Sequence, residues 1–242
     1  MLLAFHGYGE EAGVFAPLLP YLADELTVLS FDLPHHGIST WGNTIFSKHL
    51  LRQLVRAVMA MHKVDKVSLL GFSMGGRVCL SLVEMLPGCI DKVVLLAPDG
   101  LVRNNYYNFF AGTAAGRSLF RHVLTNPGLY SRVLEWAHKA GLVHASRYKF
   151  AMNYVSTPQQ RGLLLKVWPT MSDLVPTLSR LTRAIRDHNI PVELFMGAND
   201  RIMPPALGKQ FKEGLDTVQL HILDRGHRVF DHDNAADIAR SF

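Results

Sequence analysis

The sequence has few cysteines, no long hydrophobic run and no basic tract, and each absence argues against a class of protein. Its 242 residues include only two cysteines, so nothing requires a disulfide framework or an oxidising compartment. No apolar run approaches the roughly 20 residues that cross a bilayer, so no membrane span is expected. The chain enters an apolar strand at once, and we therefore expect no signal peptide and a cytoplasmic location. Without a basic run or a binding motif, nucleic acid is not an expected partner.

Hydrophobic residues make up 48% of the chain, enough to bury a substantial core. Strand-like and helix-like stretches alternate over residues 2–97. This alternation predicts an α/β fold with a mostly parallel, doubly wound sheet and helices on both faces. The alternation stops over residues 98–189, where only helical patterns are found.

Two helices in that second region have clear start signals. One is expected to begin at Asn126-Pro127 and to bury Val133 and Trp136. The other is expected to begin at Thr157-Pro158 and to end before Pro169.

The segment Gly71-Phe72-Ser73-Met74-Gly75-Gly76 places one serine between spaced glycines. A strand-like run precedes it and a run with helical spacing follows it, so Ser73 is predicted at a strand-to-helix turn. Gly71 and Gly75 permit such a turn because a side chain at either position would collide with the crossing backbone. The turn would expose the Ser73 hydroxyl as a nucleophile. An ordinary glycine-rich turn gives the same short pattern by chance, so the motif needs support from other segments.

A loop near the amino terminus supplies candidate donors for negative charge. The strand Leu2-Leu3-Ala4-Phe5 runs into His6-Gly7-Tyr8-Gly9, whose glycines leave backbone amides able to face a cavity. We expect the Tyr8 and Met74 amides to form an oxyanion hole, and we expect His6 to have a structural role.

Two later predicted strands end in an acid and a histidine. Residues 191–196 open into Gly197-Ala198-Asn199-Asp200, and residues 218–223 lead to Asp224-Arg225-Gly226-His227. Ser73, Asp200 and His227 thus follow the chain order serine, acid, histidine.

Together these segments resemble the α/β-hydrolase superfamily over nearly the whole chain. The resemblance rests on His6-Gly7-Tyr8-Gly9, the Ser73 motif, the Asp200 and His227 turns, and Asp32-Leu33-Pro34-His35-His36-Gly37-Ile38-Ser39. The last segment is similar to the family's D-x-P-G-H-G-x-S turn, with His35 where glycine is usual. We expect a changed turn or changed neighbour contacts there. The resemblance implies a serine hydrolase that needs no metal and no organic cofactor.

The resemblance also implies a division of the chain. Residues 1–99 and 186–242 would form the α/β-hydrolase core, and residues 100–185 an all-helical cap inserted after the sixth strand of the family's numbering. The family's usual first hairpin is absent, because the opening strand corresponds to the third. Some members take their acid from the position of Asp99. Asp200 is preferred here because its turn precedes a helix entry of the family's kind.

Positive charge is concentrated in the predicted cap. Residues 99–190 hold twelve Lys or Arg and four Asp or Glu, a net of +8, whereas the remainder has a net of −3. These cations either attract an anionic substrate or form solvated helix faces. The candidates are Arg103, Arg117, Arg121 and Arg147. Tyr106 and Phe109 either pack the cap onto the core or join Phe72 in an apolar substrate pocket.

We expect the protein to cleave a small ester or related acyl compound through an acyl-enzyme on Ser73. One alternative is carbon–carbon bond chemistry on an anionic substrate, as in ring-cleavage hydrolases or the menaquinone-pathway cyclohexadiene-carboxylate synthase, which Ser73-Met74-Gly75-Gly76-Arg77 resembles. Another is a non-catalytic binding protein on the same fold, which usually lacks a triad residue. The expected partner is a small molecule, and the sequence does not indicate an oligomeric state.

Overall fold

The computed structural model describes residues 1–22, 26–142, 148, 152 and 155–242. Its strands are β1 (Leu2–Phe5), β2 (Val28–Phe31), β3 (Val67–Phe72), β4 (Ile90–Leu96), β5 (Val192–Gly197) and β6 (Val218–Leu223). They form one sheet in the order β2-β1-β3-β4-β5-β6, and every neighbouring pair is parallel. With helices flanking this sheet, the predicted α/β fold is confirmed.

Helices occupy much of the remaining described chain. They are α1 (Leu19–Leu22), α2 (Lys48–His62), α3 (Met74–Met85), α4 (Asn105–Gly112), α5 (Ala114–Thr125), α6 (Pro127–Lys139), α7 (Pro158–Thr170), α8 (Leu178–Asp187), α9 (Pro205–Lys212) and α10 (Ala235–Ala239). Short 3₁₀ turns lie at Ala12–Phe15 and Pro87–Cys89. None of these helices combines the length and the apolar character that crossing a bilayer requires.

Fully buried strand residues form the core of the sheet. Leu2, Leu70 and Val94 lie in three neighbouring strands and share an apolar cluster with Phe15 and Phe230. Burial of one large apolar side chain stabilises a fold by about 1.5–3 kcal/mol. Because all strand pairs are parallel, the carboxyl ends of the strands lie at one edge of the sheet, and α3 packs against β1, β3 and β4.

The chain divides into two compact units. The first contains the sheet and comprises Met1–Thr40, Phe46–Arg103 and Leu174–Phe242, and the second comprises Trp41–Ile45 and Asn104–Asp173. Within the second unit, α5 packs against α4, α6 and α7, and its described residues contain no strand. All but the last two residues of helix α8 fall inside the range predicted as a cap, yet the helix packs against α3 in the first unit.

The second unit corrects two expectations about its helices. Helix α6 begins at Pro127 as predicted, but Val133 is 54% exposed and Trp136 is 66% exposed, so their predicted burial is wrong. Helical spacing shows which side chains share a face, but burial also requires a neighbouring element to cover that face. Helix α7 continues through Pro169 to Thr170, because a proline this close to the end removes one backbone bond while Met171 N–H still donates to Val167.

Candidate active site

Ser73 occupies the turn between β3 and α3, as the glycine pattern predicted. Its φ of 50° and ψ of −114° are strained for a residue with a side chain. The Ser73 N–H donates to the Leu96 carbonyl at 3.0 Å, and the Ser73 carbonyl accepts from the Gly76 and Asp99 amides at 2.9 and 2.8 Å. These bonds hold the strained backbone against the end of β4, and the residue remains half-buried.

Three glycines around Ser73 are required by close backbone approach. A Cβ on Gly71 would lie 2.7 Å from the Gly76 Cα, and a Cβ on Gly75 would lie 1.8 Å from the Phe5 carbonyl oxygen. The collision that the sequence predicted at Gly71 and Gly75 is therefore confirmed. A Cβ on Gly76 would lie 2.2 Å from the Pro98 Cβ, which fixes the approach of the segment that follows β4.

Ser73, His227 and Asp200 form one hydrogen-bonded chain. The His227 Nε2 lies 2.9 Å from the Ser73 Oγ, and the His227 Nδ1 lies 2.8 Å from the Asp200 Oδ2. An ionised carboxylate only accepts, so Nδ1 carries the proton and Nε2 is left to accept from the Ser73 hydroxyl. The Asp200 side chain is fully buried, whereas the His227 side chain is 22% exposed.

The Asp200 carboxylate is oriented by the turn that follows it. Its Oδ1 accepts from the backbone amides of Ile202 and Met203 at 2.8 and 2.9 Å, which leaves Oδ2 directed at His227. The sequence predicted the acid but not these two amide bonds, because a helix-entry pattern does not show which carboxylate oxygen the backbone will bind. Buried carboxylates are stabilised by such charge-assisted bonds.

The alternative acid, Asp99, has a different partner. Its Oδ2 lies 3.5 Å from the Arg77 Nε, and Arg77 is buried in the first turns of α3. The Asp99 backbone amide is bound to the Ser73 carbonyl. Asp99 therefore belongs to the support of the Ser73 turn, while Asp200 contacts the His227 ring.

The loop His6-Gly7-Tyr8-Gly9 passes directly beside Ser73. A Cβ on Gly7 would lie 3.0 Å from the Phe72 ring and 3.3 Å from the Ser73 Cβ. Tyr8, the next residue along this loop, supplies one of the two candidate oxyanion amides. The other is the Met74 amide, which is the first of α3 and has no partner four residues earlier in the same helix.

Two buried histidines fix the path of that loop. His6 Nδ1–H donates to the Gly7 carbonyl at 2.7 Å, and its Nε2 accepts from the Leu33 amide at 3.0 Å. His36 Nδ1–H donates to the Pro34 carbonyl at 2.9 Å, and its Nε2 accepts from the Gly9 amide at 3.0 Å. Burial lowers the pKa of both imidazoles, which agrees with bonding patterns that only a neutral ring can make.

The turn that contains His36 departs from the family pattern at His35. His35 adopts φ 67°, the left-handed conformation that glycine would take at no steric cost. Backbone bonds from His36 to Leu33 and from Ser39 to His36, each of 3.0 Å, close the turn around it. The departure at His35 is thus accommodated as local backbone strain.

Phe72, predicted to bind substrate, is buried beside the catalytic candidates. Its ring centroid lies 5.5 Å from that of His227 and 5.2 Å from that of Phe230. The guanidinium of Arg228 lies 5.8 Å from the centre of the Phe72 ring, and its Nη2 lies 2.8 Å from the Glu10 Oε1. Neither Arg228 nor Glu10 was predicted, because they stand 218 positions apart and belong to no motif.

The remaining predicted substrate contacts belong to different parts of the chain. Tyr106 and Phe109 lie on α4 of the second unit, 80% and 45% exposed. Arg103 is exposed at the end of a first-unit segment, and Arg121 is exposed on α5. Arg117 Nη1 donates to the Ala111 carbonyl within the second unit. Arg147 lies outside the described residues. Across the described ranges, no group of three or more His, Cys, Asp or Glu is placed to hold a metal ion.

Comparison with known proteins gives one consistent result. A family model described as alpha/beta hydrolase fold matches residues 1–233. The uncharacterised hydrolase YugF of Bacillus subtilis is 27% identical over 237 residues, which cover 94% of this chain and 83% of that protein. A pimeloyl-[acyl-carrier protein] methyl ester esterase of Neisseria meningitidis is 25% identical over 231 residues, covering 91% of this chain and 68% of the relative.

Solved structures share the fold at low sequence identity. A thermophilic esterase from Thermogutta terrifontis superposes with a TM-score of 0.65 at 16% identity, covering 99% of this chain and 85% of that one. A meta-cleavage product hydrolase from Pseudomonas fluorescens also gives a TM-score of 0.65 at 16% identity, with coverage of 99% and 89%. At this identity the likeness extends to the fold alone.

Proposed function

The chain belongs to the α/β-hydrolase fold family, and on that premise we propose that it is a serine hydrolase that cleaves a small carboxylic ester or related acyl compound. The observation that carries the proposal is the hydrogen-bonded chain from Ser73 Oγ through the His227 ring to the buried Asp200 carboxylate. A serine hydroxyl is a weak nucleophile at neutral pH, and this arrangement is suited to activating it.

In the proposed reaction, His227 acts first as a general base and then as a general acid. Nε2 accepts the Ser73 proton as Oγ attacks the ester carbonyl carbon, and the imidazolium then returns a proton to the departing alcohol. This leaves an acyl group on Ser73 and releases the alcohol. Water enters next, gives a proton to His227 and attacks the acyl carbon. The imidazolium then returns that proton to the Ser73 Oγ as the acyl–oxygen bond breaks, which restores Ser73 and releases the acid.

Asp200 holds the ring that carries out these transfers. Its Oδ2 fixes the Nδ1–H tautomer and stabilises the imidazolium formed during attack. The two amide bonds to Oδ1 keep the carboxylate in place while the ring changes charge. The proposal thus assigns Ser73 as the nucleophile, His227 as the general base and acid, and Asp200 as the residue that orients the histidine.

Negative charge on the substrate oxygen would be received by the Tyr8 and Met74 amides. Two observations support this assignment. Gly7 lies against Ser73, and the helix α3 begins at Met74. Both amides therefore belong to backbone segments that border the nucleophile. Loss of one such donor lowers kcat by roughly 10²–10³-fold in comparable sites. Because these donors are backbone amides, no metal or cofactor is needed to stabilise the oxyanion. The cytoplasmic location stays a prediction from the sequence.

A covalent probe tests the mechanism independently of the natural substrate. We expect a fluorophosphonate to label Ser73, as located by mass spectrometry, and p-nitrophenyl acetate and butyrate to be hydrolysed. Ser73→Ala should abolish both reactions, whereas Ser118→Ala, at an exposed serine of α5, should leave both unchanged. Labelling at another serine, or ester turnover that survives Ser73→Ala, would refute the proposal.

The ester assignment is separated from carbon–carbon chemistry by a second substrate panel. Ester cleavage is supported by the relative named as a methyl ester esterase, whereas the resemblance of residues 73–77 to a synthase keeps the alternative open. Short and long acyl esters are assayed beside anionic vinylogous acids. A specificity constant for the vinylogous acids that exceeds those for all esters would replace the ester assignment.

A further inference from the structure

Three segments of the candidate active site meet at one exposed arginine. Arg228 directly follows His227, and its guanidinium lies 5.8 Å from the centre of the Phe72 ring and 5.5 Å from that of Phe230. Phe72 directly precedes Ser73 and contacts the His227 ring. The arginine therefore borders both the segment that carries the nucleophile and the segment that carries the base. Cation and aromatic face attract at this separation.

The same guanidinium reaches the loop that carries the candidate oxyanion amide. Arg228 Nη2 lies 2.8 Å from the Glu10 Oε1, and the two side chains are 49% and 33% exposed. The Glu10 amide donates to the Gly7 carbonyl at 3.3 Å, which closes the turn around Tyr8 and Gly9. A restraint on the Glu10 side chain therefore also restrains the backbone that presents the Tyr8 N–H.

We propose that the Glu10–Arg228 ion pair is a clasp that positions the Tyr8 amide relative to Ser73 and His227. The inference rests on the proposed serine hydrolase function, and it assigns both residues as positioning residues that do not touch the reacting atoms. The loop is also held by His36, whose Nε2 accepts from the Gly9 amide. The clasp adds a second restraint, which comes from the residue that follows His227.

Arg228 could pair with Glu10 as a clasp, or it could bind an anionic substrate as an anchor, and the two roles have different kinetic consequences. Arg228 already has a carboxylate partner at 2.8 Å, so an anionic substrate would have to compete with Glu10 for its guanidinium. An anchor for an anionic substrate would change KM when removed. A clasp changes kcat and kcat/KM together, because alignment of an oxyanion donor matters only in the transition state.

The test is a double-mutant cycle with Glu10→Gln and Arg228→Gln. Each single variant should lower kcat for p-nitrophenyl butyrate about tenfold, a fraction of the roughly 10²–10³-fold cost of losing an oxyanion donor. KM should stay within about twofold, and the double variant should be no slower than either single one. Arg240→Gln is the matched control, since it removes an arginine from an exposed ion pair with Asp237 in α10.

A second readout reports on the oxyanion hole itself. A thionoester places sulfur, a weaker hydrogen-bond acceptor than oxygen, where the oxyanion forms. The rate ratio of the ester to its thionoester should therefore fall in both clasp variants and remain unchanged in Arg240→Gln. Melting temperatures should stay within about 3 °C of the parent, as expected for an ion pair of small energetic value in a chain of this size.

The outcomes distinguish a failure of the clasp proposal from a failure of the proposed serine hydrolase function. Turnover that survives Ser73→Ala removes the proposed function and the clasp with it. With Ser73 established as the nucleophile, the clasp is overturned by kcat values within twofold of the parent, by additive losses in the double variant, by a rise in KM alone, or by an equal loss in Arg240→Gln. If Arg228→Gln fails to fold, the ratio of the ester rate to the thionoester rate in Glu10→Gln still tests the clasp.

Discussion

The two compact units differ in what fixes their side chains. In the first unit, the candidate catalytic residues follow the ends of parallel strands, and Phe5, Phe15 and Phe230 are almost completely excluded from solvent. In the second unit, helices pack on one another while Tyr106 and Trp136 remain largely exposed. Close backbone contacts, such as that of Gly75 with the Phe5 carbonyl, thus fix the Ser73 turn of the first unit, whereas several large side chains of the second unit have no covering element among the described residues.

Charge follows the same division. The second unit holds eight Lys or Arg and two Asp or Glu, whereas the first holds 17 and 18. A surplus of positive charge in the second unit would attract an anionic substrate. Removal of cations from the second unit should accordingly change the preference for charged substrates, whereas loss of the Ser73, His227 or Asp200 side chains in the first unit should cost activity.

The largest expected difference concerns two aspartates that both follow strands of the first unit. Asp200→Asn should lower kcat by about 10⁴-fold, because it favours the wrong His227 tautomer. Asp99→Asn should change kcat only a few-fold, because Asp99 pairs with Arg77 and not with the histidine. Steady-state kinetics on one ester compare the two variants. A loss in Asp99→Asn that matches that in Asp200→Asn would contradict the assignment of the acid.

Two glycine-to-alanine substitutions compare a closely packed position of the first unit with an open position of the second. Gly75→Ala places a methyl group 1.8 Å from the Phe5 carbonyl oxygen, and we expect the free energy of unfolding to fall by more than about 3 kcal/mol. Gly162→Ala lies inside α7 with nothing within 4 Å, and we expect stabilisation of up to about 1 kcal/mol because alanine favours a helix. Urea unfolding of both variants measures these changes. Equal destabilisation would show that Gly162 is packed as closely as Gly75.

The predictability of the chain follows the same contrast. The Ser73 turn could be predicted because close backbone approach forces glycine at Gly71 and Gly75, which is a constraint visible in a six-residue window. The exposure of Trp136 could not be predicted, because helical periodicity identifies an apolar face without showing which element covers it. The pairing of Glu10 with Arg228 could not either, because neither residue type nor spacing links positions so far apart.

Lowering the pH should destabilise the first unit through protonation of its buried residues His6 and His36. Burial lowers the pKa of His6 and His36 below the ordinary 6.5, so their neutral forms stabilise the fold. This contribution is complete above pH 6.5 and is lost as the pH falls through the lowered folded-state values. Asp32, the carboxylate near both rings, stays ionised because amide bonds from Ala12 and Ile38 lower its pKa.

The variant His36→Gln isolates this acid response. Its amide oxygen can accept from Gly9 without titrating, so the decline of melting temperature below pH 6.5 should be shallower than in the parent. Thermal unfolding between about pH 4.5 and 7.5 measures the slope, a window that lies above the ordinary Asp32 pKa of 3.8. An unchanged slope would assign the acid response to other groups.

The smallest expected effect concerns the positive charge of the second unit. Eight cations against two anions would raise the local concentration of an anionic substrate, so an anionic ester should have a specificity constant a few-fold above that of its neutral isostere. Such attraction is screened over roughly 8 Å at physiological ionic strength, so the advantage should shrink as salt is added. Arg121→Gln, at an exposed position of α5, should reduce the advantage, whereas Arg240→Gln in the first unit should not. Equal constants for the two esters at low salt would leave the positive charge of the second unit as a solvated surface.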